Sequence, residues 1–579
     1  MILQSLAQYY NRLVADPGIK IPSYGFTEQK VYFCLVLDPD GSLVQVEDLR
    51  QGGGKKPRPL MMDAPFLPGR TSGIKTFFLC DNTGYVLGWD GKGKTLDKFQ
   101  AFKDLHHELL GDTDDEDLKT LLRFIDSWVP ERCAKLKYWE DMAGYNVVFR
   151  LDGQLRYLHQ YPEAIEKWQK YSWDMLTKTQ GMCLVSGEDG IISQLHWPIK
   201  GVRKAQPTGA TIVSFNAKAY ESYSKDQCYN APVREDCAFA YVTALNRLLA
   251  FEGRQKIQLG DSTTVFWTEK PSPAEELLPQ LLAAESMDDK SRAHDTGVML
   301  KLRGILEALR DGKYPPDLGD PSVKFFILGL SPNNSRLAVR LWSVSSVGEL
   351  AERAGQHFED FALERESNRD PEFPSLYRIL NEPFTRRWKE NNKDRYQLMD
   401  EYSSALSASL ARSVFTGVCY PRTLLSLTLG RIRADGEINY LRIAIIKSFI
   451  TRYRRLNNQP MEVGMTLNSD SNDIGYLLGR LFAVLEKTQK DAVGKDINAT
   501  IKDRYFGSAS ATPRAVFPQL LRMSQHHIKK AEYGKRNERM VEEILQHIES
   551  FPAHFNLDQQ GMFALGYYHQ RPAMYKKIQ

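Results

Sequence analysis

Glycines alternate with basic residues between Arg50 and Lys103, a pattern that suits contact with phosphate groups. The segment holds ten lysines and arginines against four acids, a balance of +6, whereas the whole chain carries only +4. Glycine lets the backbone approach a ligand closely, and neighbouring cations neutralise phosphate charge. The segment is therefore predicted to contact a nucleic-acid backbone. A solvated, flexible surface is the alternative that charge alone leaves open.

Within this segment, residues 88–95 match the pattern G-x-x-x-x-G-K-[ST] of a nucleotide-binding P-loop. In such a loop backbone N–H groups would cradle phosphates, and Lys94 would reach the terminal ones. A strand is predicted before the loop and a helix after it, but that strand belongs to an antiparallel hairpin predicted to turn at 81–84. No apolar strand ending in aspartate follows to hold magnesium. We favour a loop that touches nucleic-acid backbone through Lys92 and Lys94.

Other residues that could do chemistry lack their partners. The segment 106–108 contains H-x-E, as zinc deaminases do, but the companion P-C-x-x-C is missing, so we interpret it as a turn of amphipathic helix. The acidic run 114–117 lies where a helix is predicted to begin, and complementarity to the helix dipole explains it better than a metal site does. No nucleophile, zinc or nuclease motif stands out. The sequence predicts a protein that is not an enzyme and uses no cofactor or metal.

The composition is that of an ordinary soluble globular protein, with 42% hydrophobic and 26% charged residues. Because 579 residues are too many for one core, we expect roughly three or four domains. No apolar run reaches the ~18–20 residues of a membrane helix, and the first residues lack the features of a secretory signal. Seven scattered cysteines without a C-x-x-C argue against a zinc site and favour a cytoplasmic location.

The hydrophobic pattern predicts an α+β protein. Strands are expected in a hairpin at 30–48 and near 182–186, 211–215, 256–268 and 323–343, and helices at about 97–110, 116–130, 162–176 and 234–251. From about residue 346 the pattern is almost purely helical, and an amphipathic helix over 437–456 should end before Pro460. We therefore divide the chain into a mixed N-terminal α/β body with antiparallel hairpins (1–345), a helical connecting region (346–460) and an all-helical C-terminal bundle (461–579).

The C-terminal bundle should combine an apolar core with a basic surface. Apolar residues at helical spacing predict the core, namely Tyr476, Leu477, Leu481, Val484 and Leu485. A run of cations, which we call the basic strip, should stay exposed; it comprises Arg522, Lys529, Lys530, Lys535 and Arg536. A merely solvated helix face is the alternative for this strip.

Several long stretches resemble one family. They are the blocks 188–202, 209–216, 219–223, 230–233, 244–249, 327–333 and 478–486. Together they are similar to the Csd1 family, the large subunit of the type I-C (Dvulg-type) CRISPR Cascade surveillance complex, and the resemblance spans essentially the whole chain. It implies a non-catalytic protein that reads a protospacer-adjacent motif (PAM) on duplex DNA and helps open the R-loop. In such complexes base pairing by the guide supplies sequence specificity.

The resemblance also implies partners. They are CRISPR RNA, target double-stranded DNA, the Cascade backbone subunits, the subunit that binds the guide 5′-handle, a small subunit and a helicase–nuclease, with no membrane. In this family the C-terminal segment is also made separately, from an internal start codon, as the small subunit. Met461 and Met465 follow the predicted boundary at Pro460 and are candidate starts.

Given the resemblance, the basic loops supply candidate DNA contacts. Residues 51–58 should form a mobile loop that enters a DNA groove, with lysines on phosphates and a polar residue on base edges. The residues predicted near the PAM are Gln51, Gly52, Gly53, Gly54, Lys55, Lys56, Arg58, Arg70, Ser72, Asn82 and Asn216. Backbone contacts are expected at Lys92, Lys94 and the basic strip, which should line the path of a single DNA strand. For Asn216 and Asn230, a turn or cap role that holds the fold is the alternative.

Two other functions stay open on the sequence alone. The P-loop match at 88–95 allows a nucleotide-dependent enzyme. The basic, glycine-rich loops also allow a general RNA-binding scaffold.

Overall fold

The computed structural model describes residues 1–52, 58–67, 73–176, 178–250, 253–259, 262–283, 296–384, 393–460, 463–494 and 499–575. The chain forms two compact units. Unit 1 comprises Met1–Gly201, Gln206–Ala250 and Asn334–Arg336, and unit 2 comprises Val202–Ala205, Phe251–Asn333 and Leu337–Gln579. The predicted α+β class is confirmed, whereas the three-way division of the chain stays a prediction.

Unit 1 is built from short strands and amphipathic helices. Its strands are β1 (Phe26–Val31), β2 (Phe33–Leu37), β3 (Leu43–Asp48), β4 (Leu60–Pro65), β5 (Cys80–Asn82), β6 (Asn146–Leu151), β7 (Gln180–Met182) and β8 (Asp189–Ile191). Its helices are α1 (Ile2–Val14), α2 (Thr83–Val86), α3 (Leu96–Leu110), α4 (Glu116–Ser127), α5 (Trp139–Met142), α6 (Pro162–Asp174) and α7 (Glu235–Leu249). Short 3₁₀ turns occur at Pro130–Lys135, Leu158–Gln160, Lys218–Tyr220 and Gln227–Asn230.

The main sheet of unit 1 has the strand order β3-β2-β6-β5, and β1 pairs with β4 in a separate two-stranded ribbon. All five residues of β2 are buried because both faces of the sheet are covered. Phe102 of α3 and Phe124 of α4 belong to the larger core on one face. On the other face a smaller cluster joins Cys34 and Val36 of β2 to Ala64 of β4. The predicted hairpin at 30–48 is confirmed as β2 and β3, which pair antiparallel.

The second predicted hairpin, at 81–84, is wrong. After β5 the chain enters the short helix α2 instead of turning back as a strand. The side-chain oxygen of Asn82 accepts the backbone N–H of Gly84 at 3.1 Å and thereby caps the first turn of α2. The polar sequence that suggests a turn therefore starts a helix.

The strand predicted at 211–215 is also wrong. Thr211 forms an isolated bridge with Arg336, and the following residues up to the 3₁₀ turn at Lys218–Tyr220 are irregular. The helices predicted in this part of the chain fare better, since those at 97–110, 116–130, 162–176 and 234–251 correspond to α3, α4, α6 and α7.

Unit 2 places one sheet beside a large set of helices. Its strands are β9 (Lys256–Leu259), β10 (Ser262–Thr268), β11 (Lys324–Asn333) and β12 (Arg336–Ser346), in the order β12-β11-β10-β9. Its helices are α8 (Ala274–Ala283), α9 (Thr296–Arg310), α10 (Val347–Phe361), α11 (Leu376–Asn381), α12 (Lys393–Thr416), α13 (Arg422–Asp435), α14 (Tyr440–Leu456), α15 (Ile474–Val493), α16 (Ile501–Ala511), α17 (Pro513–Lys530), α18 (Gly534–Leu545) and α19 (Leu557–Tyr575), with a 3₁₀ turn at Pro316–Leu318.

One continuous apolar core runs through unit 2, from β10 and β11 to the helices on both sides of Pro460. Its C-terminal part centres on α15 and α19, whose backbones approach closely at glycines. The predicted core residues of α15 are all buried, which confirms that prediction; they are Tyr476, Leu477, Leu481, Val484 and Leu485. Gly561 of α19 meets Ile446 and Ile450 of α14, so α14 packs on the same helix.

The helix predicted over 437–456 forms as α14, but it is not amphipathic. It is buried on nearly all sides, and the buried residues include Arg442, Lys447 and Arg452. These charges find partners on other helices. The guanidinium of Arg452 donates to the carboxylate of Asp360 at 2.7 Å, and the ammonium of Lys447 donates to the backbone carbonyl of Asp360 at 3.1 Å. The basic residues of α14 therefore hold helices together instead of facing solvent.

Among the described residues, none of the helices is both long enough and apolar enough to cross a membrane.

Candidate nucleic-acid interface

Four strand ends of the main sheet in unit 1 meet at one edge. Phe33 of β2 pairs with Asp48 of β3 in the antiparallel sense and with Val147 of β6 in the parallel sense. Asn82, the last residue of β5, pairs with Asn146, the first residue of β6. The starts of β2 and β6 therefore lie beside the ends of β3 and β5. Segments that are far apart in the sequence emerge together at this edge.

The segment that follows β3 brings Gln51 and Arg58 to this edge. These two residues form an antiparallel bridge, with the N–H of Gln51 donating to the carbonyl of Arg58 at 2.7 Å and the reverse bond at 2.9 Å. Both side chains are exposed. Arg50 is fixed just before them, because its guanidinium donates to both carboxylate oxygens of Asp48 at 2.7–2.8 Å. Arg50, Gln51 and Arg58 thus form a well-defined stem.

Several predicted site residues lie outside the described residues. They are Gly53, Gly54, Lys55, Lys56, Arg70, Ser72 and the candidate start Met461. Gly52 is exposed at the start of the stem.

The P-loop-like segment at 88–95 reaches the same edge but does not have the geometry of a P-loop. A helix, α2, precedes it instead of a strand. The carboxylate of Asp90 accepts the backbone N–H groups of Lys92 at 3.0 Å and Gly93 at 3.1 Å, which lowers the pKa of that carboxyl. The ammonium of Lys94 pairs with Glu131. Because these N–H groups are bonded to Asp90, they do not form the backbone cradle that a P-loop offers to phosphates.

The position of this loop is fixed by contact with the segment before β6. A Cβ placed on Gly91 would lie 2.8 Å from the Cβ of Ala143, so the loop packs on that residue. The N–H of Gly144 also donates to the hydroxyl of Thr83 at 2.7 Å. We call this end of the sheet the basic edge and define it by Arg50, Gln51, Arg58, Asn82, Lys92 and Lys94.

Two tyrosines at the basic edge were missed by the sequence reasoning. Tyr32 and Tyr145 directly precede β2 and β6, and their ring centroids lie 4.3 Å apart. Tyr145 is 46% exposed. Their only sequence signal is an aromatic residue just before a strand, which many buried residues share. This pair adds an apolar surface to an otherwise polar edge. Such rings could stack on bases.

The predicted residues at 68–72 follow the other end of β4. Because β4 spans six residues, Leu60 and Pro65 lie roughly 17 Å apart, about the rise of five base pairs of duplex DNA. Beyond Pro65, the ring centroids of Phe66 and Phe77 lie 5.0 Å apart, and the ammonium nitrogen of Lys200 lies 5.4 Å from the ring centroid of Phe66. Leu60 and Pro65, the strand residues nearest in sequence to the two glycine-rich segments, therefore lie at opposite ends of β4.

Asn216 lies in a third place, an exposed loop that the basic edge does not include. Its side-chain oxygen accepts a hydrogen bond from the guanidinium of Arg336. In the same loop, the amide of Asn230 accepts the N–H of Ser222 at 2.8 Å and donates to the carbonyl of Lys225 at 2.6 Å. Asn230 therefore has the loop-holding role that was its alternative.

The basic strip lies on α17 and α18 of unit 2. All five of its side chains are exposed, as expected; they are Arg522, Lys529, Lys530, Lys535 and Arg536. Lys529 and Lys530 end α17 and also complement the negative end of its dipole, which is a structural reason for their presence.

Two other polar segments from the sequence have structural roles. His106 is fully buried, accepts the N–H of Leu79 at 2.9 Å and contacts the carbonyl of Phe102 at 2.7 Å. Burial lowers the pKa of His106 to about 3, so its ring is neutral. The carboxylate of Asp115 accepts the N–H groups of Asp117 and Leu118 and caps α4.

Comparison with known proteins adds one finding. A family model described as CRISPR-associated protein (Cas_Csd1) matches residues 6–575, nearly the whole chain. No curated protein matches the chain.

Proposed function

We propose that this chain, which belongs to the Cas_Csd1 family of CRISPR-associated proteins, is the large subunit of a CRISPR-RNA-guided surveillance complex of the Cascade type. Its proposed task is to recognise the PAM on duplex DNA and to help open the R-loop. The observation that best supports this proposal is the basic edge. There, cationic and polar side chains from separate segments meet at one end of a sheet.

The basic edge offers the two kinds of contact that motif recognition needs. Lysines and arginines position a duplex through its phosphates, whereas amide side chains can read base edges. The exposed amide of Gln51 suits a bidentate contact with adenine. The backbone beneath it is held, because Gln51 bridges Arg58 and Arg50 donates to Asp48, so little backbone freedom would be lost on binding.

The same proposal assigns no catalytic step to this chain. Three described residues of types that often act in catalysis have structural roles instead. His106 is buried and neutral, Asp115 caps a helix, and the carboxylate of Asp90 accepts backbone N–H groups of its own loop. DNA degradation would then be performed by a separate helicase–nuclease that this subunit helps to recruit. The Cascade backbone subunits and the subunit that binds the guide 5′-handle would be its other protein partners.

The basic strip would hold a single DNA strand once the duplex has opened. A row of exposed cations suits backbone contact without sequence preference. The segment that carries the strip, 461–579, is also proposed to be made separately as the small subunit. The close pairing of α15 with α19 lies entirely inside that segment, whereas the packing of α19 on α14 crosses its boundary, so a separate small subunit would expose the face of α19 that α14 covers here.

The first prediction tests the segment 51–58, of which Gln51 and Arg58 belong to the basic edge. Replacing Lys55 and Lys56 with alanine in the assembled complex should weaken binding to every target sequence and reduce the slope of log affinity against log salt by about 2. Gln51→Ala should instead relax motif preference, since a good bidentate base contact discriminates by about 1–3 kcal/mol. The measurement is a binding titration at several salt concentrations on targets with randomised motifs.

A matched control removes the same charge elsewhere in unit 1. Lys119 and Arg123 lie on α4, and Arg123 donates to the carbonyl of Pro39 in the β2–β3 turn, at the opposite end of the sheet. Their double alanine variant should bind DNA as the wild type does. Wild-type affinity of the Lys55/Lys56 variant across the salt series would show that the segment 51–58 is not the DNA contact.

The second prediction tests the basic strip. Changing Lys529 and Lys530 to glutamate should destabilise the R-loop by roughly tenfold near physiological salt, because cationic contacts are replaced by repulsion. Motif preference should not change. The control variant reverses two exposed lysines elsewhere in unit 2, Lys313 and Lys324. An R-loop lifetime equal to that of the control would assign the strip to a solvated surface, and an altered motif preference would contradict a pure backbone role.

A further inference from the structure

Tyr223 occupies the tip of an unusually strained turn in unit 1. Ser222 and Lys225 form an antiparallel bridge, and the N–H of Lys225 donates to the carbonyl of Ser222 at 3.0 Å. The two residues between them, Tyr223 and Ser224, both have positive φ, at +53° and +55°. Hairpin turns of this kind usually carry asparagine and glycine, because a side chain in the left-handed region is unfavourable by roughly 1 kcal/mol or more.

The strain is maintained by one side chain. The amide of Asn230 accepts the N–H of Ser222 at 2.8 Å and donates to the carbonyls of Lys225 at 2.6 Å and Gln227 at 2.9 Å. These three bonds span the turn on both sides. Unfavourable backbone conformations persist where the surroundings over-determine them, and such places are enriched at functional sites.

What the strained turn presents is an aromatic ring. The side chain of Tyr223 is 95% exposed, so it contributes almost nothing to the core. Tyr220, in the same loop, is 47% exposed, and the guanidinium of Arg336 lies 4.4 Å from its ring centroid. Arg336 is itself bound by Asn216. The loop therefore fixes the backbone beneath Tyr223 and the ring of Tyr220 before any ligand arrives, which lowers the entropy lost on stacking.

The chemistry of the loop favours nucleobases over a protein partner. Between residues 216 and 226 the side chains are polar or small apart from the two tyrosines, so the apolar centre of a protein interface is not provided. The charges are mixed, with Lys218 and Lys225 balanced by Glu221 and Asp226. Arg336 adds one cation beside the ring of Tyr220. Exposed aromatic rings with a neighbouring cation are a pattern by which proteins hold bases that are free of a duplex.

We propose that the Tyr223 turn stacks on an unpaired base of DNA, with Tyr220 and Arg336 forming a second stacking surface beside it. This inference rests on the proposed function, since DNA held and opened by the complex would supply the unpaired base. The turn would capture a base that has left the helix and so slow re-pairing of the strands. It would not read the motif.

The test uses the assembled complex and two DNA targets that carry the motif but no sequence complementary to the guide, so that the complex cannot open them. One is fully paired and the other has a pre-opened bubble beside the motif. Tyr223→Ala should lower affinity for the bubble target by about 5- to 100-fold, the usual loss for one base–aromatic stack. Affinity for the paired target should not change. Tyr223→Phe keeps the ring and should bind both targets within about twofold of wild type. Fluorescence of 2-aminopurine placed in the bubble should rise when Tyr223 is replaced by alanine, because the base loses its stacking partner.

Each other outcome overturns the proposal in a recognisable way. Equal affinity of Tyr223→Ala and wild type for the bubble target would exclude stacking, and an equal loss on both targets would exclude a preference for unpaired bases. Loss of partner subunits from the complex of this variant would identify a protein interface instead. A wild-type complex without motif preference would contradict the proposed PAM function alone, because the bubble comparison does not depend on the motif. Melting curves of the variants exclude misfolding as the cause.

Discussion

Gly479→Ala should lower the free energy of unfolding of unit 2 by about 3 kcal/mol, although alanine forms helices better than glycine does. Gly479 lies on α15 where this helix meets α19. A Cβ at this position would lie 2.8 Å from the carbonyl carbon of Phe563 and 2.9 Å from the backbone nitrogen of Tyr567. Backbone atoms cannot rotate away as side chains can, so the two helices would have to separate.

The contact is reciprocal, which makes the interface hard to repair. A Cβ on Gly566 of α19 would lie 2.9 Å from the carbonyl carbon of Tyr476 and 3.1 Å from its Cα. Separation of the helices would loosen the packing of buried rings between them, including Phe563 and Tyr567. Forced overpacking in a dense core usually outweighs the gain in helix propensity.

The matched control is Gly507→Ala in α16. A Cβ there meets nothing within 4 Å, so this variant should gain up to about 1 kcal/mol from helix propensity. The two variants would be compared by thermal and denaturant unfolding of the full chain, with the unfolding midpoint of unit 2 as the measured quantity. A midpoint for Gly479→Ala at or above that of Gly507→Ala would show that α15 and α19 are not in close backbone contact.

Asp360→Asn should also destabilise unit 2 strongly, by about 3–5 kcal/mol. It removes the negative charge that contacts both Arg452, which is buried, and Arg455, which is partly exposed. Asp360 is 0% exposed and Arg452 is 1% exposed. Asp360 accepts hydrogen bonds from Arg452 at 2.7 Å and from Arg455 at 2.8 and 3.1 Å. Asparagine keeps the shape of the side chain but leaves both guanidinium groups without a counter-charge.

The neighbours of Asp360 show how many elements depend on it. Arg452 also donates to the carbonyl of Ser413 at 2.8 Å and lies 4.0 Å from the ring centroid of Tyr420. Burial raises the pKa of Tyr420 well above its ordinary value, so its hydroxyl stays neutral. The set therefore ties α10 to α12 and α14, and all three helices should loosen together.

The control for this variant is Asp317→Asn. Asp317 forms an ion pair with Lys301 at 2.9 Å, but both side chains are about half exposed, and such pairs contribute about 0–1 kcal/mol. Unfolding midpoints of the two variants, measured under the same conditions, should differ by many degrees. Equal midpoints would show that water or another group compensates the buried arginines.

Hydrophobic periodicity in the sequence was sufficient to predict a helix that buries one clear face. The helix expected at 97–110 is observed as Leu96–Leu110. The hairpin strands expected at 30–48 are also observed, although β2 is buried on both faces and the pairing shifts register between Val36 and Leu37. It failed where a single side chain decides the local structure. Asn82 sits in a sequence that suits a turn and a helix start equally well, and its bond to Gly84 selects the helix.

The candidate site was only partly predictable because its assembly depends on distant pairings. The parallel pairing of β2 with β6 connects residues more than a hundred positions apart and creates the basic edge. The sequence of either strand alone does not predict that pairing. In the same way, the basic residues of α14 indicate a solvated face until Asp360, 92 residues from Arg452, is known to lie against them.

The length of β4 has a consequence for how a duplex would be gripped. Its ends are separated by roughly 17 Å, which is close to half a turn of B-form DNA. On one side of a double helix, half a turn separates a major groove from the neighbouring minor groove. A duplex lying along β4 would therefore present different grooves to the segments at its two ends. The length of the strand would therefore set the spacing between the two contacts along the DNA. Inserting two residues into it should misalign the two segments with their grooves.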